Sequence, residues 1–135
     1  MTRVYITTDG CYSDYRTRGA YTSPYEAAKD FAEAHMSGDY PLIECFDGGE
    51  RIRMPNTMFI KQYFRPTGEA PWRRATEPTS ETLDNAIDVE IRPIVKIARE
   101  HSYEYDPYIT VVGTDETQVN QAYRDAVAAE TVKHG

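Results

Sequence analysis

The sequence predicts an α+β fold, an antiparallel sheet with two main helices on one face, built from two related ββα units. Three observations lead there. Several short runs alternate apolar and polar residues with period two, and two longer stretches carry a 3.6-residue apolar stripe behind a capping residue. In addition, Val4, Ile6, Tyr12, Ala20 and Ser23 fall on Val95, Ile97, Tyr103, Val111 and Thr114 at an offset of 91 residues. Each of those stretches reads as two strands joined by a tyrosine-bearing loop and followed by a helix. The identities are few, so a generic hairpin-helix pattern accounts for them as well as a repeat does.

From Arg3 to Thr8, Val4 and Ile6 alternate with Arg3, Tyr5 and Thr7, which predicts a half-buried strand with its apolar side inward. Asp9, Gly10, Ser13 and Asp14 supply turn chemistry, and residues 16–22 return as a second strand. Ser23 is a natural N-cap, Pro24 fits the first helical position, and Glu26 completes a capping box. Ala27, Ala28, Phe31, Ala32 and His35 then share one face of a helix over 24–36, stopped by Gly38 and Pro41. Leu42 to Phe46 and Arg51 to Met54 flank Asp47-Gly48-Gly49-Glu50 and read as a tight hairpin.

Met58 to Arg65 is extended, with Met58, Ile60 and Phe64 on one side and an aromatic, basic set of Phe59, Lys61, Tyr63 and Arg65 on the other. Residues 66–82, rich in Pro, Gly, Ser and Thr, read as a connection, and 82–88 as a short helix. Val89 to Ala98 is β-branched and interrupted by Pro93, as suits an edge strand, and Tyr108 to Val112 is its partner. Thr114 caps a final helix over about 115–132, whose stripe is Val119, Ala122, Tyr123, Ala126, Val127 and Glu130.

At 135 residues the chain is expected to form one α+β domain over 1–135, with candidate subunits 1–65 and 82–135 on either side of the connection. Residues 1–15 lack the basic start and apolar run of a secretion signal, and no stretch is apolar enough to cross a membrane, so a cytoplasmic setting and no membrane partner are expected. Cys11 and Cys45 are expected as free thiols. Cys11, His35, Cys45, His101 and His134 are scattered singly, a pattern that predicts no metal site and no cofactor.

The net charge of −7 is unevenly spread. Residues 1–78 hold ten basic against eleven acidic side chains, and residues 79–135 hold five against eleven. Within the first half, residues 51–76 set six basic side chains against Glu69 alone.

The run Val4-Tyr5-Ile6-Thr7-Thr8-Asp9-Gly10-Cys11-Tyr12-Ser13-Asp14-Tyr15, with the following alanine-rich helix and the strand ending Glu44-Cys45-Phe46-Asp47, resembles a family of small uncharacterised phage and bacterial proteins. Those share a Tyr-Ser-Asp-Tyr turn, and the resemblance covers about the first 50 residues. It implies no known activity. What it implies is a setting, in which small acidic proteins serve as accessory or host-interacting factors.

Three groups of residues carry candidate chemistry. Arg51, Arg53, Lys61, Arg65, Arg73 and Arg74 interleave with Tyr63 and Trp72, the mixture that a nucleotide or other phosphate ligand exploits through clamping and stacking; Tyr12 and Tyr15 add phenols from the first turn. The same arginines can equally pair with the acidic second half, within one chain or across a homodimer. Glu100, Tyr103, Glu104, Tyr105 and Asp106 fill the second hairpin loop and form an acidic, tyrosine-rich patch suited to a host protein, or else a solvated face. No catalytic residues are assigned, because each histidine is isolated and only His101, beside Glu100 and Glu104, resembles a general-base cluster. The expectation is a non-enzymatic interaction protein, with a nucleotide-binding module second and an unrecognised enzyme third.

Overall fold

The computed structural model describes residues 3–9, 16–36, 41–52, 56–64, 79–80, 87–98 and 107–134. They form an α+β structure with two helices, and the eight strands divide into two antiparallel sheets. The first sheet has the order β2-β1-β3-β4, from β1 (Arg3–Asp9), β2 (Arg16–Tyr21), β3 (Leu42–Asp47) and β4 (Glu50–Ile52). The second has the order β6-β5-β8-β7, from β5 (Phe59–Phe64), β6 (Thr79–Ser80), β7 (Ile94–Ile97) and β8 (Pro107–Gly113).

Helix α1 (Pro24–Met36) touches β1, β2 and β3 of the first sheet and β7 and β8 of the second, so it lies between them. Helix α2 (Glu116–His134) packs on β5, β7 and β8. The expected arrangement, both helices on one face of one sheet, is therefore corrected. The reason lies in β8. Tyr-Ile-Thr-Val-Val does not alternate, and all seven residues of the strand are buried, because α1 covers one face and α2 the other.

Two apolar clusters follow from this layering. Phe31 and the alanines of α1 meet Tyr5, Ile43 and Cys45 of the first sheet and Ile60, Ile94 and Val112 of the second in one cluster. Val119 and Tyr123 of α2 meet Tyr63, Tyr108, Ile109 and Val111 in the other, with Ala122, Ala126 and Val127 packed against it. The apolar stripes read from both helices are thus the faces that pack.

The phase of β1 is the reverse of the expected one. Tyr5 and Thr7 are buried while Val4 and Ile6 are only partly covered. Inside, both polar side chains find partners, Tyr5 on Asp88 and Thr7 on Asp30, so burying them leaves no hydroxyl unsatisfied.

Local chemistry sets the boundaries. The amide of Glu26 donates to Ser23 Oγ at 3.3 Å, the cap expected for α1. For α2 the cap is Asp115, whose Oδ1 accepts from Gln118 N at 2.9 Å. Thr114, expected in that role, instead accepts from Ile91 N at 2.9 Å and ties the chain entering β7 to the end of β8. Gly48 and Gly49, at φ 62° and 90°, make the two-residue turn between Asp47 and Glu50 that only left-handed backbone allows.

Three further expectations change. Within the stretch read as a connection, Thr79 and Ser80 pair with Ile60 and Phe59. Of the helix expected over 82–88, residues 82–86 lie outside the described residues, and Ile87 forms an antiparallel bridge with Asn56. The strand expected from Val89 shortens to Ile94–Ile97, since Pro93 has no N–H and Ile91 is held by Thr114.

The two ββα units coincide in chain order, β1-β2-α1 and β7-β8-α2. They differ in placement. In the first unit the leading strand is interior and β2 is the edge, whereas in the second β8 is interior and β7 is the edge.

Because Phe31 is fully buried in the cluster joining both sheets, Phe31→Ala is expected to destabilise the protein by about 3 to 5 kcal/mol. Urea unfolding followed by far-UV circular dichroism measures it; a loss below 1 kcal/mol would contradict the placement of α1.

Candidate functional site

The residues expected to clamp a phosphate do not share one face. Arg51 stands on β4 of the first sheet, exposed, with Nε 4.0 Å from Glu44 Oε2. Lys61 and Tyr63 stand on β5 of the second sheet and are buried beneath α2. Lys61 Nζ donates to Asn120 Oδ1 at 2.9 Å and lies 4.6 Å from the centre of the Tyr123 ring, which in turn meets the Tyr63 ring edge-on. For these two residues the expectation of an open aromatic and basic face is corrected, because α2 supplies the amide and the phenol that accept them. Burial raises the Tyr63 phenol above its usual range, so it stays a neutral hydroxyl.

Arg53, Arg65, Trp72, Arg73, Arg74, Tyr12 and Tyr15 lie outside the described residues, as do Glu100, His101, Tyr103, Glu104, Tyr105 and Asp106. The strands on either side of the acidic, tyrosine-rich segment are described. β7 ends at Ile97 and β8 begins at Pro107, and the two pair as neighbours. Residues 98–106 therefore connect the strands of one hairpin at the edge of the second sheet.

A polar cluster that composition did not single out lies where the first sheet meets α1. Between Thr7 and Thr8 the β1–β2 register slips, leaving Arg18 as the extra residue of a β-bulge. The bulge turns Arg18 toward α1. Its NH2 donates to Asp30 Oδ1 at 2.9 Å and its NH1 to Asp9 Oδ2 at 3.1 Å, while Arg16 Nε donates to Asp9 Oδ1 at 2.9 Å. Thr7 Oγ1 donates to Asp30 Oδ2 at 2.5 Å. Gly19 leaves room for the Tyr21 ring to reach this carboxylate, since a Cβ there would stand 2.7 Å from Tyr21 Oη.

The electrostatics follow from these contacts. Hydrogen bonding by Arg16 holds Asp9 below the ordinary carboxylate range against the cost of its burial. For Asp30 burial pushes upward, and the bonds from Arg18 and Thr7 outweigh it and keep the carboxyl low. Two carboxylates face two guanidinium groups, so the cluster is neutral and internally satisfied. It joins β2 to α1 instead of offering an open acid or base.

A second pairing was hidden by distance along the chain. Asp88 has a side chain only 7% exposed. It accepts from Arg3 and from Tyr5 Oη, the latter at 2.5 Å. Burial, then the bond to Asp88, raises the Tyr5 phenol far above its usual range. No sequence signal marks a partner 83 residues away.

His35 ends the buried stripe of α1, edge-on to Phe31 with ring centres 4.7 Å apart. Its Nε2 is buried without a hydrogen-bond partner, and burial lowers its pKa from 6.5 to about 4. Cys45 is a free, buried thiol whose pKa burial raises. Among the described residues no three His, Cys, Asp or Glu side chains converge as a metal site requires, and no helix is long and apolar enough to cross a membrane.

The described surface also carries exposed apolar side chains, among them Tyr25, Val89, Val95 and Ile97. Val95 and Ile97 are 39% and 38% exposed on the same face of β7, the edge strand of the second sheet. Comparison with family models, curated proteins and solved structures found no significant match.

Two measurements check these assignments. Asp30→Ala removes the acceptor of Arg18 and Thr7 and is expected to cost about 2 to 3 kcal/mol in urea unfolding. In the second, the unfolded chain binds a proton at His35 near pH 6.5 and the folded chain only near 4, so stability falls as pH is lowered through that window. At 1.36 kcal/mol per unit the loss is about 3 kcal/mol, and it should disappear in His35→Leu. Asp9 and Asp30, held low in the folded state, lose their contribution only at more acid pH, so loss there persists in the variant.

Proposed function

We propose that this chain is a non-enzymatic interaction protein that engages a macromolecular partner through the β7–β8 hairpin. The observation that carries this reading is the pair Val95 and Ile97. Single exposed apolar residues are ordinary, but two β-branched side chains on one face of an edge strand form a surface that proteins normally cover or charge. That strand runs directly into the segment holding Glu100, Tyr103, Glu104, Tyr105 and Asp106. Apolar strand, phenols and carboxylates are the mixture that anchors a partner and steers its approach.

The resemblance of the first 50 residues to small phage and bacterial proteins supports a host protein as that partner and the host cytoplasm as the place. A nucleotide-binding role for residues 51–74 is the second reading of the sequence, and the burial of Lys61 and Tyr63 beneath α2 weighs against it.

The test is quantitative capture from host lysate by the wild type and by a loop variant combining Glu100→Gln, Tyr103→Ala, Glu104→Gln and Tyr105→Ala. The expected result is a bound protein recovered at least about tenfold less with the variant and released as salt shortens the screening length. Equal recovery by both proteins would reject the reading.

A further inference from the structure

We infer that two copies of this chain pair antiparallel along the outer edge of β7, with Val95 of each copy opposite Ile97 of the other. This inference rests on reading the β7–β8 hairpin as a contact surface; it assigns the β7 edge to a second copy and leaves the segment holding Glu100, Tyr103, Glu104, Tyr105 and Asp106 to the macromolecular partner. The backbone phase is the first support. Ala98 N donates to Tyr108 O at 2.9 Å, and Ile94 and Lys96 are in register with Val112 and Thr110. In an antiparallel ladder hydrogen-bonded pairs alternate, so residues 94, 96 and 98 turn their amides and carbonyls toward β8. Val95 and Ile97 therefore turn theirs outward, where no strand among the described residues pairs with them. Pro93 shares that outward phase and has no N–H to offer.

A second β7 fits this pattern. With Val95 opposite Ile97, every outward donor and acceptor of the two residues is used, in both copies, without calling on Pro93. The two-fold axis that relates the strands stands perpendicular to the sheet, so side chains keep their face. Val95 and Ile97 from each copy then meet on the side that carries α2, in cross-strand contact and out of water. On the opposite side the two Lys96 residues face each other across the axis. Each arrives with Glu33 at 3.0 Å, so the axis gathers two positive and two negative charges instead of an uncompensated pair.

Sedimentation equilibrium of the full chain over a concentration series tests this, using the wild type, Val95→Lys/Ile97→Lys and Val95→Pro. The last removes one outward donor and leaves the bonds to β8 intact. The wild type is expected at twice 15.4 kDa, and both variants at 15.4 kDa with unchanged far-UV circular dichroism. A wild type that stays at 15.4 kDa throughout, or a double mass that persists in both variants, overturns the inference. The failures are distinguishable. A monomeric wild type whose lysine variant still loses its captured host protein leaves the interaction reading standing, whereas a dimer with unaltered capture by the loop variant removes that reading alone.

Discussion

The alanine surface of α1 fixes how closely the two sheets approach, and the rest of the core is fitted to that spacing. Ala27, Ala28, Ala32 and Ala34 are fully buried, and with no side chain beyond Cβ they let backbone come near on both sides of the helix. Phe31 fills space among those alanines within the cluster that joins both sheets. Close packing makes the arrangement exacting, since a larger residue at any of those alanines would have to displace a strand. The fold is therefore held by a helix with few strong contacts of its own but with two sheets relying on it.

Polar groups are drawn into this framework where the backbone departs from regularity. The bulge that frees Arg18 gives α1 a charged anchor on β2, and the slip between Tyr63 and Phe64 on β5 lets Tyr108 donate to the buried Glu130 of α2 at 2.8 Å. In each sheet one irregular residue adds a polar connection to a helix beside those made by ladder positions such as Thr7 and Lys61. Thr7 and Glu130 are buried with hydrogen-bond partners, Asp30 for the first and Tyr108 for the second.

Much of the local structure was legible in the sequence. Ser23-Pro24 and the alanine stripe delimit α1, Asp47-Gly48-Gly49-Glu50 dictates its turn, and the stripe from Val119 to Glu130 is the face of α2 that packs. What escaped depends on pairing over distance. Nothing near Phe59–Phe64 announces that it joins Pro107–Gly113, and so the division into two sheets was invisible, as was the covering of Lys61 and Tyr63. The inward turn of Tyr5 depends in the same way on Asp88, because a hydroxyl is buried only where its acceptor waits. For the site, composition identified charge and phenols but not which of them a helix would cover.

The shared position of α1 also orders events during synthesis. Residues up to Ile52 complete the first sheet and the side of α1 that packs on it, but the cover of its opposite side is incomplete until β7 and β8 emerge, ending at Gly113. At about 5 to 20 residues per second the ribosome needs roughly 3 to 12 s for that interval. Throughout it the nascent chain carries a partly bare greasy flank, so a holding chaperone has its natural opportunity between those two points of translation.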